Sequence, residues 1–267
     1  MAQLRVICGL HHTLVIHNNK LYGCGSNAKG QLTSRLPKQV TVFTLLSDQL
    51  KLDANTVIAD VVAGRELTIV WLYNKITQVN SFWHCGSQFM AAPNTIFTPI
   101  KMPFSSNVAV IKIVIGHTGY SYNHVLIHTH DKITQQDQLW GWGPNDAGEL
   151  GIGTAAPQSK FFEIKLDFLR VNKQSLINVT TGASYTLLHT RCNETQRDHL
   201  WVSGEDITVQ LALGPDRRQT LKFVEIPLPF LTTQKIVDVR ATQPCSGQVK
   251  TDTLFKRNCF SNCAGLR

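Results

Sequence analysis

The histidines have the most chemistry to offer in this chain. His128-Thr129-His130 places two imidazoles on one face of a strand, with His117 and His124 close in sequence, a grouping that suits a metal ion or proton transfer. A strand end running into the polar segment Asp131 to Gln138 accounts for the same residues, and this reading is preferred. Cys259 and Cys263, with three residues between them, have a spacing that suits zinc, yet no second Cys or His pair follows. Motifs for covalent or nucleotide chemistry are missing: there is no Gly-x-Ser-x-Gly elbow, no His-Glu-x-x-His helix, no phosphate loop and no dinucleotide fingerprint. Gly141-Trp142-Gly143 begins as a nucleotide loop would, but Asp146 occupies the third glycine's place. The sequence therefore nominates no catalytic residue, no cofactor and no metal site, and the expectation is a chain that is not an enzyme.

What the sequence does specify is the set of elements beneath these residues. An aromatic residue followed three positions later by glycine occurs four times: Tyr22 to Gly25, Trp83 to Gly86, Trp140 to Gly143 and Trp201 to Gly204. The glycines recur at intervals of 61, 57 and 61 residues. A fixed period of this size means stacked copies of one supersecondary unit, none of which buries its apolar face alone. A second landmark precedes each pair: Gly9, Gly64, Gly116 and Gly182 each follow a short run rich in β-branched residues, and Thr13, Thr68 and Thr186 stand four residues after three of them. Between the landmarks of the first copy, Leu14-Val15-Ile16, Asn18-Asn19 and Leu21-Tyr22 read as two antiparallel strands joined by a tight primed turn. Each unit is expected to be a small antiparallel sheet.

A third landmark closes the unit. Asn27 to Leu32 in the first copy, and Asn145 through Gly148, Glu149 and Leu150 to Gly151 in the third, read as a turn that needs positive φ and then re-enters the core. The fourth copy keeps Leu211 and Gly214 of this stretch, and the second has lost it. A weaker fifth copy runs from Ile236 to Ala241, with Thr242 in the glycine slot and Ser246 in the threonine slot, and continues through Leu254-Phe255 and Cys259 to Leu266. There the aromatic-to-glycine spacing is stretched by two, and Phe260 stands in the glycine's place.

Together, Gly9-Leu10-His11-His12-Thr13, Trp140-Gly141-Trp142-Gly143 and Asn145 to Gly151 resemble the repeat of the regulator of chromosome condensation family. The resemblance spans nearly the whole chain. It implies an all-β fold, a β-propeller of four-stranded antiparallel blades, with about four complete units and a partial fifth where the family normally has seven. It also implies that His12 is a structural residue tying strands together through its ring nitrogens. The expected organisation is a single domain, 1–267, with units at roughly 1–55, 56–107, 108–172, 173–232 and 233–267. A short ring and an arc of a larger design are both compatible with that count, and closure would ordinarily combine strands from both termini in one blade.

Composition agrees with this reading. With 43% hydrophobic residues in 267, the chain can bury a sizeable core. No apolar run approaches the roughly 18 residues of a membrane span, and the N-terminal residues lack a signal-peptide pattern, so a cytoplasmic or nuclear location without membrane insertion is expected. Cys8, Cys24 and Cys85 fall on predicted strands, where a thiol acts as a small hydrophobe. Asn178 and Asn193 fit the glycosylation pattern but read better as ordinary polar residues. The net charge of +8 would favour an acidic partner, but Arg217-Arg218 and Lys256-Arg257 are the only adjacent basic pairs and a dispersed, solvated surface is the preferred reading.

Specificity is expected in the hairpins. The first unit has nine residues from Thr13 to Tyr22, whereas Thr68 to Trp83 and Thr186 to Trp201 each take fifteen. The segments Tyr73 to Ser81, Thr129 to Gln138 and Arg191 to His199 should then project on one rim. The function expected is a non-catalytic protein-interaction scaffold with an unidentified protein partner. The resemblance implies an alternative, guanine-nucleotide exchange on a Ran-type small GTPase with chromatin association. A hydrolase or lyase in the central channel lacks paired carboxylates to carry it.

Overall fold

The computed structural model describes residues 4–88, 91–117, 123–206, 210–214, 217–228 and 235–241. It contains four sheets, each of four strands in simple antiparallel order. Sheet I holds β1 (Arg5–Cys8), β2 (His12–His17), β3 (Lys20–Ser26) and β4 (Gln39–Leu45). Sheet II holds β5 (Thr56–Ala63), β6 (Leu67–Asn74), β7 (Asn80–Gln88) and β8 (Ala91–Ile100). Sheet III holds β9 (Val108–His117), β10 (Asn123–Asp131), β11 (Gln136–Gly143) and β12 (Gln158–Ile164). Sheet IV holds β13 (Gln174–Thr181), β14 (Tyr185–Cys192), β15 (Asp198–Glu205) and β16 (Gln219–Ile226), preceded by a short helix α1 (Asp167–Val171).

The landmarks explain these sheets. Asn18 and Asn19 take positive φ of 49° and 59°, the tight turn expected between β2 and β3. The last glycine of each aromatic pair, Gly25, Gly86, Gly143 and Gly204, has φ between 104° and 120°. A side chain there would run into the carbonyl oxygen of His11, Glu66, Asn123 or Ser184 on the neighbouring strand side, so glycine is required twice over. In each sheet the ladder between the third and fourth strands slips at this glycine, a β-bulge.

Alternation along the strands gives every sheet two apolar faces, and successive sheets stack through them. Leu14, Ile16, Leu21 and Leu46 of unit one meet Val61, Val70 and Leu72 of sheet II. On the other face of sheet II, Leu67, Ile69 and Phe82 meet Ile113, Val125, Ile127 and Trp140. Leu126, Leu139 and Leu150 of unit three then meet Val179, Leu188 and Trp201. The landmark Trp140 and Trp201 are thus face-to-face anchors between blades. Among the described residues no hydrophobic cluster joins sheet IV to sheet I, and no sheet mixes strands from the two ends of the chain. The four blades form an arc.

The first strands touch in succession, β1 to β5, β5 to β9 and β9 to β13, and so line the common axis. Gly9 packs against the Gly64 carbonyl and Gly116 against the Gly182 carbonyl, a closeness that leaves no room for a Cβ. Polar side chains link β1 to β5 and β9 to β13. Arg5 pairs with Asp60 and donates Nη1 to the Ala59 carbonyl at 3.0 Å. Lys112 donates Nζ to Asn178 Oδ1 at 2.6 Å and to the Val179 carbonyl at 2.9 Å. Asn178 is therefore a strand-to-strand link, consistent with its reading as a structural polar residue.

The expected fifth unit is described only over residues 235–241. Residues 235–241 form no strand, because the Ile236 and Ala241 N–H groups go to the side chains of Asp198 (2.6 Å) and Thr180 (3.4 Å) instead of a ladder. Ile236, Val239 and Ala241 still pack on Leu187, Val202, Leu211 and Ile226 of unit four. The remaining fifth-copy landmarks, Thr242, Ser246, Leu254-Phe255 and Cys259 to Leu266, lie outside the described residues.

Candidate functional site on the hairpin rim

The three long hairpins occupy the same connection in sheets II, III and IV. Their tips share one construction. In Asn74-Lys75-Ile76-Thr77-Gln78, Asn74 Oδ1 accepts the N–H groups of Ile76 and Thr77 at 3.1 and 3.0 Å. In Asp131-Lys132-Ile133-Thr134-Gln135, Asp131 Oδ1 accepts those of Ile133 and Thr134 at 2.7 and 3.1 Å. In Cys192-Asn193-Glu194-Thr195-Gln196 the sulfur of Cys192 takes the acceptor's place, 3.5 Å from the Thr195 nitrogen. Each tip closes on a glutamine in the left-handed region, Gln78, Gln135 and Gln196 at φ of 56°, 56° and 58°. This design holds Ile76 and Ile133 out in solvent at 73% and 72% exposure. Their identical Lys-Ile-Thr-Gln runs were a sequence signal that hairpin length alone does not convey.

Beneath the tips lie two carboxylates, Asp137 half-buried and Asp198 buried. Asp137 Oδ1 receives His128 Nε2 at 3.3 Å and His130 Nδ1 at 3.1 Å, while its Oδ2 accepts the Leu176 N–H of sheet IV at 2.9 Å. Asp198 repeats the arrangement with Arg191 at 2.7 Å, His189 at 3.3 Å and the Ile236 N–H at 2.6 Å. Burial alone would raise both acids, but the donors outweigh it and hold them below the usual carboxylate range. Burial also lowers His189. The His128-Thr129-His130 pair is thereby explained: both rings converge on an aspartate that fastens one blade to the next. Thr129 faces the other way and accepts the Trp140 indole N–H at 2.9 Å. His124 sits at the opposite end of β10 over Gly116, and the side chain of His117 lies outside the described residues. Among the described residues no group of three or more His, Cys, Asp or Glu is placed to hold a metal ion.

Two clefts open at equivalent positions on this rim. One, of about 280 Å³, lies between the start of β7 and the end of β8, with Val79, Trp83, Ile100, Met102 and Phe104 on its walls. The other, of about 300 Å³, lies between the start of β15 and the end of β16, with Arg197, Asp198, His199, Glu225 and Leu228 on its walls. The lining of the first cleft carries no charged residue, whereas that of the second includes Arg197, Asp198 and Glu225.

The remaining landmarks are structural. His12 Nε2 lies 2.9 Å from the Thr68 hydroxyl, so it ties blade to blade, and burial lowers its pKa to about 4. Thr68 donates to the Gln31 carbonyl at 2.8 Å, and Thr186 to the Glu149 carbonyl at 2.7 Å. Thr13 stands at the same position in sheet I, where no blade precedes it among the described residues. Asn27 Oδ1 and Asn145 Oδ1 each accept the N–H five residues on, from Leu32 and Leu150, both at 2.8 Å. Asp206 does the same for Leu211 at 2.6 Å, so the fourth copy keeps more of the turn than Leu211 and Gly214. An acid in the amide's place, at the same five-residue spacing, was the signal for it. Gly148 and Gly151 supply positive φ in the third copy's turn, 80° and 68°. Of the three strand cysteines, Cys85 is buried, Cys24 half-buried and Cys8 exposed, so only Cys85 is a core residue.

Consecutive four-stranded antiparallel blades, stacked face to face with their first strands along one axis, define a β-propeller protein. Solved structures agree: human WBSCR16 superposes with a TM-score of 0.66 at 18% identity over 85% of this chain and 55% of its own. Yeast RCC1 (Prp20), solved with Kap60, gives 0.65 at 14% identity over 89% and 51%. Among curated proteins, the human probable E3 ubiquitin-protein ligase HERC6 is 24% identical over 158 residues, 55% of this chain and 13% of the relative. Human HERC4, of the same description, is 24% identical over 254 residues, 93% of this chain and 21% of the relative. The chain thus spans 13% and 21% of the length of these curated relatives and about half of the structural neighbours. No family model matches. The chain has the β-propeller fold of these neighbours and is similar in sequence to RCC1-like proteins, in line with the resemblance of its repeats.

Proposed function

We propose that this chain is a non-catalytic protein-interaction scaffold whose partner contacts lie on the hairpin rim. The observation that carries the proposal is the pair of matching tips, which hold Ile76 and Ile133 in solvent on turns fixed by Asn74 and Asp131. Exposed aliphatics on a rigid scaffold are suited to recognition, and the flanking Lys75 and Lys132 favour an acidic partner surface. Quantitative affinity capture with Ile76→Ser/Ile133→Ser tests it: proteins held by the wild type are depleted on the variant. Equal recovery of every protein by both contradicts it. A cytoplasmic or nuclear location goes with this role.

A second reading follows from the repeat type: guanine-nucleotide exchange on a Ran-type small GTPase with chromatin association. The RCC1 neighbour was solved with a protein partner, Kap60, which supports a protein-binding role of some kind. Ligase chemistry is not carried over, because so little of HERC4 and HERC6 is spanned. Release of bound guanine nucleotide from a purified Ran-type GTPase, measured with and without the chain, separates exchange from scaffolding.

A further inference from the structure

The uncharged cleft of unit two is joined to both of the matching hairpin tips. Val79, 47% exposed on its wall, stands three residues after Ile76. Its lining also includes Ser105 and Ser106, and the next residue, Asn107, accepts the Lys132 N–H of the neighbouring tip at 3.1 Å. Units two and three lie between units one and four, so the cleft does not depend on either end of the chain. Its aromatic lining is fixed in advance: Phe104 meets Phe82, only 1% exposed, edge-on at 6.1 Å, and rests against Trp140 at 5.3 Å. Met102 adds an adaptable thioether. Aromatic residues and methionine are the types enriched where proteins meet. The equivalent cleft of unit four carries Arg197, Asp198 and Glu225, so the blade itself does not impose an apolar lining.

We propose that this cleft is a docking site for one aromatic side chain carried on an acidic segment of a partner protein. Size and charge select that occupant. The volume of about 280 Å³ sits at the lower limit of ligand pockets, roughly 300–1,000 Å³, which suits a single large side chain and not a cofactor. No lining residue is charged, yet exposed lysines border the site: Lys101 between the lining residues Ile100 and Met102, and Lys75 and Lys132 on the two tips. Two carboxylates near the tips are engaged by turn donors, Asp53 by Asn55 and Thr56, and Asp131 by Ile133 and Thr134. An apolar centre bordered by cations fits an aromatic residue flanked by glutamate or aspartate. This site rests on the reading of the hairpin rim as the partner-binding edge, and it names the chemistry that the edge selects.

Titration of the peptide acetyl-Glu-Glu-Phe-Glu-Glu-amide into the full 267-residue chain, followed by NMR of the methionine methyl groups, tests the proposal. The chain has three methionines, of which Met102 reports from the cleft. Saturable movement of the Met102 methyl signal is expected. Binding should be at least about tenfold weaker for acetyl-Lys-Lys-Phe-Lys-Lys-amide and absent for acetyl-Glu-Glu-Ser-Glu-Glu-amide. Val79→Asp and Lys101→Glu should each weaken it at least about tenfold. Both sites are exposed, and circular dichroism checks that the variants fold. Val171→Asp, at a 75% exposed site on α1, leaves binding unchanged. A Met102 signal that does not move, equal binding of the three peptides, or indifference to Val79→Asp and Lys101→Glu overturns the proposal. The two readings fail separately: a silent Met102 methyl removes the cleft, whereas protein capture indifferent to Ile76→Ser/Ile133→Ser removes the rim.

Discussion

Asp198 accepts the backbone N–H of Ile236 at 2.6 Å, as Asp137 accepts that of Leu176 at 2.9 Å. Each carboxylate stands at the foot of a long hairpin and takes its other donors from its own blade. The hairpin rim and the seam between units are thus one polar construction, and in sheet I Asn19 performs the same task toward Ile58 at 2.7 Å.

Removing such a carboxylate orphans a backbone donor and two side chains. Asp198→Ala should destabilise the fold by roughly 1–3 kcal/mol in urea unfolding. Asp198→Asn, which keeps an acceptor, should cost less. Equal stability of wild type and Asp198→Ala would count against the inter-blade role.

Glu149 gives a pH dependence of defined sign. Burial pushes its carboxyl up to about 7. A folded pKa above the unfolded value of about 4.3 means its contribution is full at low pH and is lost as pH rises through about 7. Glu149→Gln, the type already present at Gln31, should raise stability at pH 8 by roughly 1–3 kcal/mol. At pH 4 it should change little. Denaturant midpoints at the two pH values read the difference.

Gly86 combines a φ of 104° with a close approach to the Glu66 carbonyl. Gly86→Ala should therefore destabilise by more than about 1 kcal/mol, whereas an alanine at exposed Gly214, with nothing within 4 Å, suffers only the backbone strain of its φ of 94°. Thermal unfolding of the two variants side by side checks the ordering.

Substitutions at the hairpin tips should separate function from stability. Ile76 and Ile133 contribute to no core, so Ile76→Ser/Ile133→Ser should unfold within about 0.5 kcal/mol of the wild type. A large loss of stability would show that the tips are structural after all.

Much of the fold was legible because glycine leaves a sharp trace. Gly25, Gly86, Gly143 and Gly204 mark a bulge no other residue fits, and their period exposes the blades. The polar hubs were less legible. Asp137 and Asp198 act through partners some 40 residues on, Leu176 and Ile236, and no local pattern announces a backbone donor at that range. His128 and His130 drew attention as chemistry for the same reason, since the acid they share is hidden on the opposing strand. Asp206 escaped because it replaces the asparagine of the closing turn, although its spacing to Leu211 is unchanged.

The most direct test of the scaffold reading exchanges all three long hairpins for the two-residue Asn18-Asn19 type of turn and compares captured proteins with the wild type by quantitative mass spectrometry. Loss of the wild-type partners by a variant that retains its β-sheet circular dichroism is the predicted result. A folded variant that captures the same proteins in the same amounts would contradict the account.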